Sequence, residues 1–354
     1  MSRRPVLFVT NLVPPDRVGA YAALHAREGI ELALFGGRSH HATGGVEDPG
    51  VPFRHVEQRA VHALAASGRF RAVVCGTAGR TALPAAWLGA RRAGVPFLLW
   101  SALWAQLRTP AHLLARPLMA AIYRDADAVV AYGSHVAAFA RRHGARRVTI
   151  APQAVDNAFW GADVADPPRP AAFTCLFVGR PAREKGVVEL LAGWRASGLG
   201  DGGADAALVL VGAGHDAHGA PGVRVVGPLP AAPLRNFYAA ADVVAIPSIP
   251  SRRFVEPWGL VANEAMNQHC AVIATDAVGA AAGGLVRHDR TGLVVPAGDA
   301  AALGAALRRL HDAPELRAAL GAAGAGAVAG HTYEAWAEGF SAALAGTGRR
   351  REGC

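Results

Sequence analysis

Four side chains in the second half of this sequence have the types and spacing for chemistry on a charged ligand rich in hydroxyls. Glu256 and Glu264 stand in RRFVEPWGLVANEAMNQHC with seven residues between them, and Arg180 and Lys185 stand five positions apart in VGRPAREKGVVELLAGW. Two cations at that spacing in one loop can converge on a single anion, the guanidinium as a planar fork and the ammonium as a compact charge. A diphosphate fits such a pair, and each carboxylate can accept hydrogen bonds from vicinal hydroxyls. The ordinary alternative is surface pairing of the cations with Glu184 and Glu189. Pairs of that kind are worth only about 0–1 kcal/mol, which leaves the clustering with little structural purpose.

The elements that must position these residues are short apolar runs ending in turn residues, each followed by a helix-length segment. In the first half they are VLFVTNL (6–12), ELALFGG (31–37), AVVCGT (72–77), PFLLWS (96–101), AVVAYG (128–133) and VTIAPQ (148–153). In the second they are FTCLFVGR (173–180), ALVLVGAG (207–214), VRVVGPL (223–229), DVVAIPS (242–248), AVIATD (271–276) and GLVVPAG (292–298). Such runs predict parallel strands buried on both faces, hence two doubly wound α/β domains. The proline-bearing segment 163–172 breaks both periodicities and is read as the linker, giving domains 1–165 and 172–331. The last helices, about 332–350, are amphipathic enough to return to the first domain. Ligands of open α/β sheets bind at the C-terminal strand ends, and two facing sheets bring both sets of ends to one cleft.

Within that frame Gly179 permits a tight turn at a strand tip, Arg180 follows it, and Lys185 precedes Gly186 and an apolar helix. The Glu256–Pro257 pair favours extended backbone at Glu256 and a helix start just after it, so Glu256 lies in a loop. From Gly259 onward Leu260, Val261, Ala265 and Met266 are spaced as a helix, and Glu264 falls on their apolar stripe. An unpaired carboxylate there is expensive. Two readings remain for it: an ion pair to a nearby arginine, or a carboxylate held ready for ligand hydroxyls such as those of ribose. The N–H groups near Trp258, Gly259, Leu260 and Val261 are expected to attract phosphate.

Composition removes other classes. Hydrophobic residues at 52% and charged residues at 18% exclude a disordered chain, and the length of 354 residues favours two domains. The net charge of +9 suits nucleic acid, an anionic membrane surface or phosphate-bearing substrates, or simply an arginine-rich surface. No nucleic-acid motif or aromatic-basic platform accompanies it. Cys75, Cys175, Cys270 and Cys354 have no metal or redox spacing and read as reduced cysteines of a cytosolic protein. The opening MSRRPVLFVTNLVPP is a strand better than a signal peptide, and no apolar run reaches the roughly 18 residues of a membrane span.

Gly212 and Gly214 form a GxG, but Ala217 stands where a dinucleotide fingerprint needs glycine; the first strand lacks a fingerprint as well. His215 and His218 read as solvated loop residues, and Asp125 with Asp127 as turn residues closing a helix, so no metal is expected. Segment 101–124, SALWAQLRTPAHLLARPLMAAIYR, mixes Trp, Leu and Arg as a membrane-surface helix pair would. An ordinary core-facing helix is the preferred reading.

The run VGRPAREKG followed by EPWGLVANEAM resembles the retaining family 4 glycosyltransferases of GT-B fold (glycosyl transferases group 1), whose two Rossmann-like domains face across a cleft. The resemblance spans nearly the whole chain and is strongest over 173–300. It implies that Arg180 and Lys185 bind the donor diphosphate, that Glu256 meets the donor sugar and Glu264 the ribose. The segment 224–230, with Val226 and Pro228, holds the base through its backbone, and 290–299 supplies the strand closing the domain. It also implies hexosyl transfer (EC 2.4) from a nucleotide-diphosphate sugar to a small-molecule, glycan or lipid-linked acceptor, with no cofactor. Front-face attack is expected, the leaving phosphate helping to take the acceptor's proton. Arg180, Lys185 and Glu256 are the expected catalytic residues.

The first half departs further from that family. The loop NLVPPDRVGAY resembles its glycine loop, yet Val18 precedes Gly19 where a Gly-Gly pair is common. Trp100 and Ser101 stand where many relatives have a histidine, and ATDAVGAAAGGLV replaces a Gly-Gly plus Glu pattern near Ala277 to Ala280. Rival readings are a nucleotide-sugar epimerase of similar fold and a non-catalytic carbohydrate- or nucleotide-binding homologue. The expected location is the cytoplasm, with peripheral contact at the inner membrane face if 101–124 lies on lipid.

Overall fold

The computed structural model describes residues 4–36, 46–79, 81–202, 204–213 and 219–347. Two compact units result, Met1–Asp156 with Thr332–Cys354, and Asn157–His331. The first is built on β1 (Val6–Thr10), β2 (Ile30–Leu34), β3 (Phe53–His55), β4 (Ala72–Gly76), β5 (Phe97–Ser101), β6 (Ala128–Ala131) and β7 (Val148–Ile150), in the order β3-β2-β1-β4-β5-β6-β7. The second carries β8 (Phe173–Val178), β9 (Ala206–Val211), β10 (Val223–Val226), β11 (Val243–Ile246), β12 (Ala271–Thr275) and β13 (Leu293–Val295), in the order β10-β9-β8-β11-β12-β13. Every pairing is parallel.

The apolar runs become central strands because both faces are covered, and β1, β4, β5, β6 and β12 are buried at every residue. The period of two sorts their side chains. Val6 and Phe8 pack with the helices Val18–Glu28 and Tyr333–Thr347. Leu7 and Val9 pack on the opposite face with residues of the helices Ala82–Ala93, Pro110–Asp125 and Ser134–Arg142. The helix Tyr333–Thr347 thus belongs to the first unit, its Trp336 and Phe340 seated against Phe8 and Trp100 at ring separations of 5.5–6.5 Å.

Three expectations change. β3 was not among the twelve runs, because FRH is short and its Phe53 and His55 are exposed at the sheet edge. The division between units falls at Asp156 and Asn157, not within 163–172. The reason is that Asn157 donates to the Val328 and His331 carbonyls and Gln268 donates to Ala162 (3.0 Å), which bind 157–162 to the second unit. The proline segment instead runs over that unit's surface, where Arg169 pairs with Asp242. Gly214, Ala217, His215, His218 and Cys354 lie outside the described residues.

In the second sheet strand order reverses beside β8, which touches β9 on one side and β11 on the other. A crevice beyond the carboxyl ends of such strands is where loops can close on a ligand without blocking the sheet.

Candidate functional site at the switch point of the second sheet

β8 and β11 deliver their loops, 179–186 and 247–260, side by side at this point. The Ile249 N–H donates to the Glu184 carbonyl (2.9 Å) and ties the two loops together. Across that tie Lys185 Nζ donates to Glu256 Oε2 at 2.5 Å, and Ser248 Oγ donates to the same oxygen at 3.1 Å. Glu256 is 9% exposed and Lys185 21%, so this pair is shielded from water in a way an exposed surface pair is not. Arg180 donates to Glu184 (2.6 Å), while Arg183 takes Glu189 with both guanidinium nitrogens. The surface-pairing alternative therefore holds for Arg180 with Glu184 and fails for Lys185, whose carboxylate comes from 71 residues away.

Burial pushes the Glu184 carboxyl up, but its own backbone N–H, Arg180 and Lys185 outweigh this and hold it below the usual carboxylate range. Phe254 lies beneath both cations, with Arg180 Cζ 5.9 Å and Lys185 Nζ 5.7 Å from its ring centre. An aromatic face there holds two like charges near each other without neutralising them.

Backbone pairing fixes Glu256. It bridges Val278, its carbonyl accepts from Gly279 N–H (3.1 Å), and the Trp258 carbonyl accepts from Ala280 N–H (2.7 Å). Gly279 carries no side chain because a Cβ would overlap the Pro257 carbonyl. The segment ATDAVGAAAGG thus carries the shelf on which the Glu256 loop rests, and the close approach accounts for its Gly279. Trp258, expected at the ligand, turns its ring inward: its indole N–H donates to Asn263 Oδ1 (2.7 Å) and the ring lies 5.6 Å from that of His331. Only its backbone can face a ligand.

Glu264 lies in the helix Val261–Asn267, half-buried, and Tyr238 Oη donates to its Oε2 at 2.5 Å. A tyrosine hydroxyl is a partner that the sequence did not suggest. Burial and the adjacent Glu264 charge hold the Tyr238 phenol well above its usual pKa, so it stays a donor. Tyr238→Phe is expected to lower stability by about 1.5–3 kcal/mol, the range for a hydrogen bond to a charged group, as read by chemical denaturation. The helix has seven residues. Its dipole is correspondingly short, so Arg180 and Lys185 must carry most of any phosphate's charge.

Gly179 does not use left-handed backbone; Gly212, Gly186 and Gly259 do, at φ +81°, +72° and +88°. Gly212 donates to the Val226 carbonyl (2.9 Å), which sets the tip of β10 beside that of β9, with Pro228 exposed just beyond. The C-terminal edge of the second sheet therefore gathers Val226, Pro228, Gly179, Arg180, Lys185, Glu256, Gly259, Leu260, Val261 and Glu264. Ser248 and Phe254 join them, and Tyr238 reaches Glu264 from the helix Ala231–Ala240 that leads into β11. A serine at the tip of DVVAIPS was a readable signal for the first; nothing in sequence spacing pointed to the other two.

In the first unit Gly19 is the second residue of a helix, not a loop glycine. A Cβ there would overlap the Tyr333 ring, whose hydroxyl donates to the Asp16 carbonyl (3.0 Å), so helix packing accounts for it. Trp100 is a core residue, and Ser101 is buried with its hydroxyl 2.7 Å from that of Tyr123. Asp125 accepts from the Trp87 indole (2.6 Å) and Asp127 from the Phe97 N–H (3.0 Å), both structural roles. Among the described residues no group of three or more His, Cys, Asp or Glu is placed to hold a metal, and no helix is long and apolar enough to cross a membrane.

Two parallel-sheet Rossmann-like domains with this site define the GT-B architecture, and comparison with known proteins agrees. Residues 172–313 match the model of the family described as glycosyl transferases group 1, so the chain carries a domain of that kind. A D-inositol 3-phosphate glycosyltransferase of Kineococcus radiotolerans is 42% identical over 127 residues, a match covering 33% of this chain and only 27% of that protein. The structure of Anabaena HepE in complex with UDP and glucose superposes with a TM-score of 0.75 at 16% identity, covering 97% of this chain and all of that one (100%). Sucrose-phosphate synthase from Thermosynechococcus elongatus gives 0.71 at 21% identity, with 96% and 98% covered.

Proposed function

We propose that this chain is a family 4, retaining glycosyltransferase that moves a sugar from a nucleotide-diphosphate sugar to an acceptor hydroxyl, without a metal. The observation that carries the reading is the Lys185–Glu256 pair, held beside Arg180 where strand order reverses in the second sheet. Departure of a nucleoside diphosphate builds negative charge on the leaving oxygen. Preorganised cations on a partly dry surface stabilise such charge without reorganising. Arg180 reaches the diphosphate by releasing Glu184, and Lys185 by sharing itself between Glu256 and phosphate. Glu256 then orients hydroxyls of the donor sugar, and Glu264, held by Tyr238, those of the ribose. Val226, Pro228 and the backbone of 258–261 border the nucleotide. The proton lost by the acceptor goes to the leaving phosphate, since both glutamates are engaged in binding. A uridine donor is the first choice, HepE having been crystallised with UDP and glucose.

A thermal-shift panel of nucleotide sugars tests this. One donor should stabilise the wild type, and Lys185→Ala and Glu264→Ala should each abolish the shift. Free nucleoside diphosphate should appear on addition of acceptor, which separates transfer from epimerisation. If no nucleotide sugar stabilises the wild type, or both variants respond as it does, the donor site lies elsewhere.

A further inference from the structure

The helix Pro110–Asp125 does not keep to the core. It buries Ile122 and Tyr123 against the first sheet and turns the opposite side outward, leaving Leu113 44%, Leu114 83% and Leu118 40% exposed. At 100° per residue Pro117 and Ala121 fall between these leucines, so residues 113–121 present one apolar strip outward, which Arg124 and Asp125 close in the last turn. Arg108, Arg116 and Arg124 are exposed along the same segment. The charge is lopsided well beyond this helix. From residue 72 to 155 the chain has ten arginines and two acids, Asp125 and Asp127. Asp125 is engaged by Arg91 and Trp87, and Asp127 caps the Phe97 N–H. The helices Ala82–Ala93, Pro110–Asp125 and Ser134–Arg142 all cover one face of the sheet, so Arg91, Arg92, Arg116, Arg124, Arg141 and Arg142 stand on one side of the first unit.

We infer that this helix lies on the surface of an anionic lipid bilayer, with Leu113, Leu114 and Leu118 among the acyl chains and the arginines at the headgroups. Soluble surfaces rarely keep a contiguous aliphatic strip exposed, and an apolar face with a basic rim is the pattern that binds bilayer interfaces. The charge selects the occupant. A second copy docking by the same face would set arginine against arginine with no acid to relieve it. Nucleic acid would answer the charge but offers the leucines nothing, since bases stack on aromatic platforms. Anionic lipid satisfies both features together.

The test is co-sedimentation of the full chain with vesicles of phosphatidylcholine alone or mixed with phosphatidylglycerol, with no nucleotide sugar present, so it stands apart from the transferase reading. The wild type should bind the mixed vesicles, and more weakly at raised salt. Leu113→Gln/Leu114→Gln/Leu118→Gln should weaken binding at least about tenfold, since each exposed leucine contributes the transfer of an aliphatic side chain. Arg108→Gln/Arg116→Gln should weaken the preference for phosphatidylglycerol and lessen its dependence on salt. All five positions are exposed, so both variants should keep a melting temperature close to that of the wild type. Failure of the wild type to bind mixed vesicles, or wild-type binding by the leucine variant, overturns the inference. So does a wild-type dimer that the leucine variant converts to monomer, which would assign the strip to a second copy.

Discussion

Replacing Lys185 by methionine is expected to lower the stability of the second unit by about 2–3 kcal/mol, more than replacing Lys185 and Glu256 together. The stem of the side chain is kept, so the loss is electrostatic. It takes the Lys185 cation from a 9% exposed carboxylate that also accepts from the Ser248 hydroxyl. Stranding one member of a buried pair costs about 3–5 kcal/mol, and Lys185 at 21% exposed places this site somewhat below that range. Glu256→Gln keeps volume and hydrogen bonding while removing the charge. Lys185→Met/Glu256→Gln should therefore recover about 1–2 kcal/mol relative to Lys185→Met alone, a coupling of the size seen between contacting charges. Urea unfolding of the four proteins reads the cycle. Additive single effects would mean that the two groups do not sense each other, and the pair could not then act as a unit at the donor. Donor stabilisation should be lost in all three variants, because the anion needs the lysine and the sugar needs the glutamate, whichever charge remains.

The same pair shows what could be seen in the sequence and what could not. Strands such as VLFVT and AVIAT were legible because they are buried on both faces, which forces uninterrupted apolar residues of strand length. FRH escaped since an edge strand half in water needs no such run. Arg180, Lys185, Glu256 and Glu264 stood out because charge inside apolar runs must be answered by something. Sequence spacing ranks partners by nearness along the chain, however, and so offered Glu184 and Glu189 to Lys185 where the fold supplies Glu256. Tyr238 was hidden for a related reason: a tyrosine in AAPLRNFYAA looks like any core aromatic until Glu264 is seen against it. Trp258 and Gly19 show what position along the chain leaves unsaid: the ring of one is a strut for Asn263, which leaves its backbone for any ligand, and the other makes room for Tyr333. The helix Pro110–Asp125 faces the core as expected through Ile122 and Tyr123, while the exposure of Leu113, Leu114 and Leu118 on the same helix was not legible, because an apolar residue reads alike on either side until the sheet is in place.

Gly186→Ala is expected to destabilise the second unit by about 3 kcal/mol or more and to abolish donor binding, although it adds a single methyl group. Two effects combine. Gly186 holds φ +72°, which an alanine adopts at a cost of about 1–2 kcal/mol. A Cβ there would also overlap the Pro247 carbonyl oxygen, a backbone atom that cannot rotate aside. Pro247 precedes Ser248, and Ser248 is anchored by its carbonyl accepting from the buried Thr275 hydroxyl, so the 247–260 loop cannot retreat without pulling on β12. The loop 183–186 must therefore move instead, carrying Lys185 away from Glu256 and loosening the tie between Ile249 and Glu184. Gly284→Ala separates the two effects. Its φ of +87° demands the same left-handed backbone, but a Cβ there meets nothing within 4 Å. It should show only the conformational cost, about 1–2 kcal/mol, with donor binding unchanged. Equal losses in the two variants would mean that strain alone acts at Gly186, and that the close approach of the β8 and β11 loops is not what holds the lysine against the glutamate.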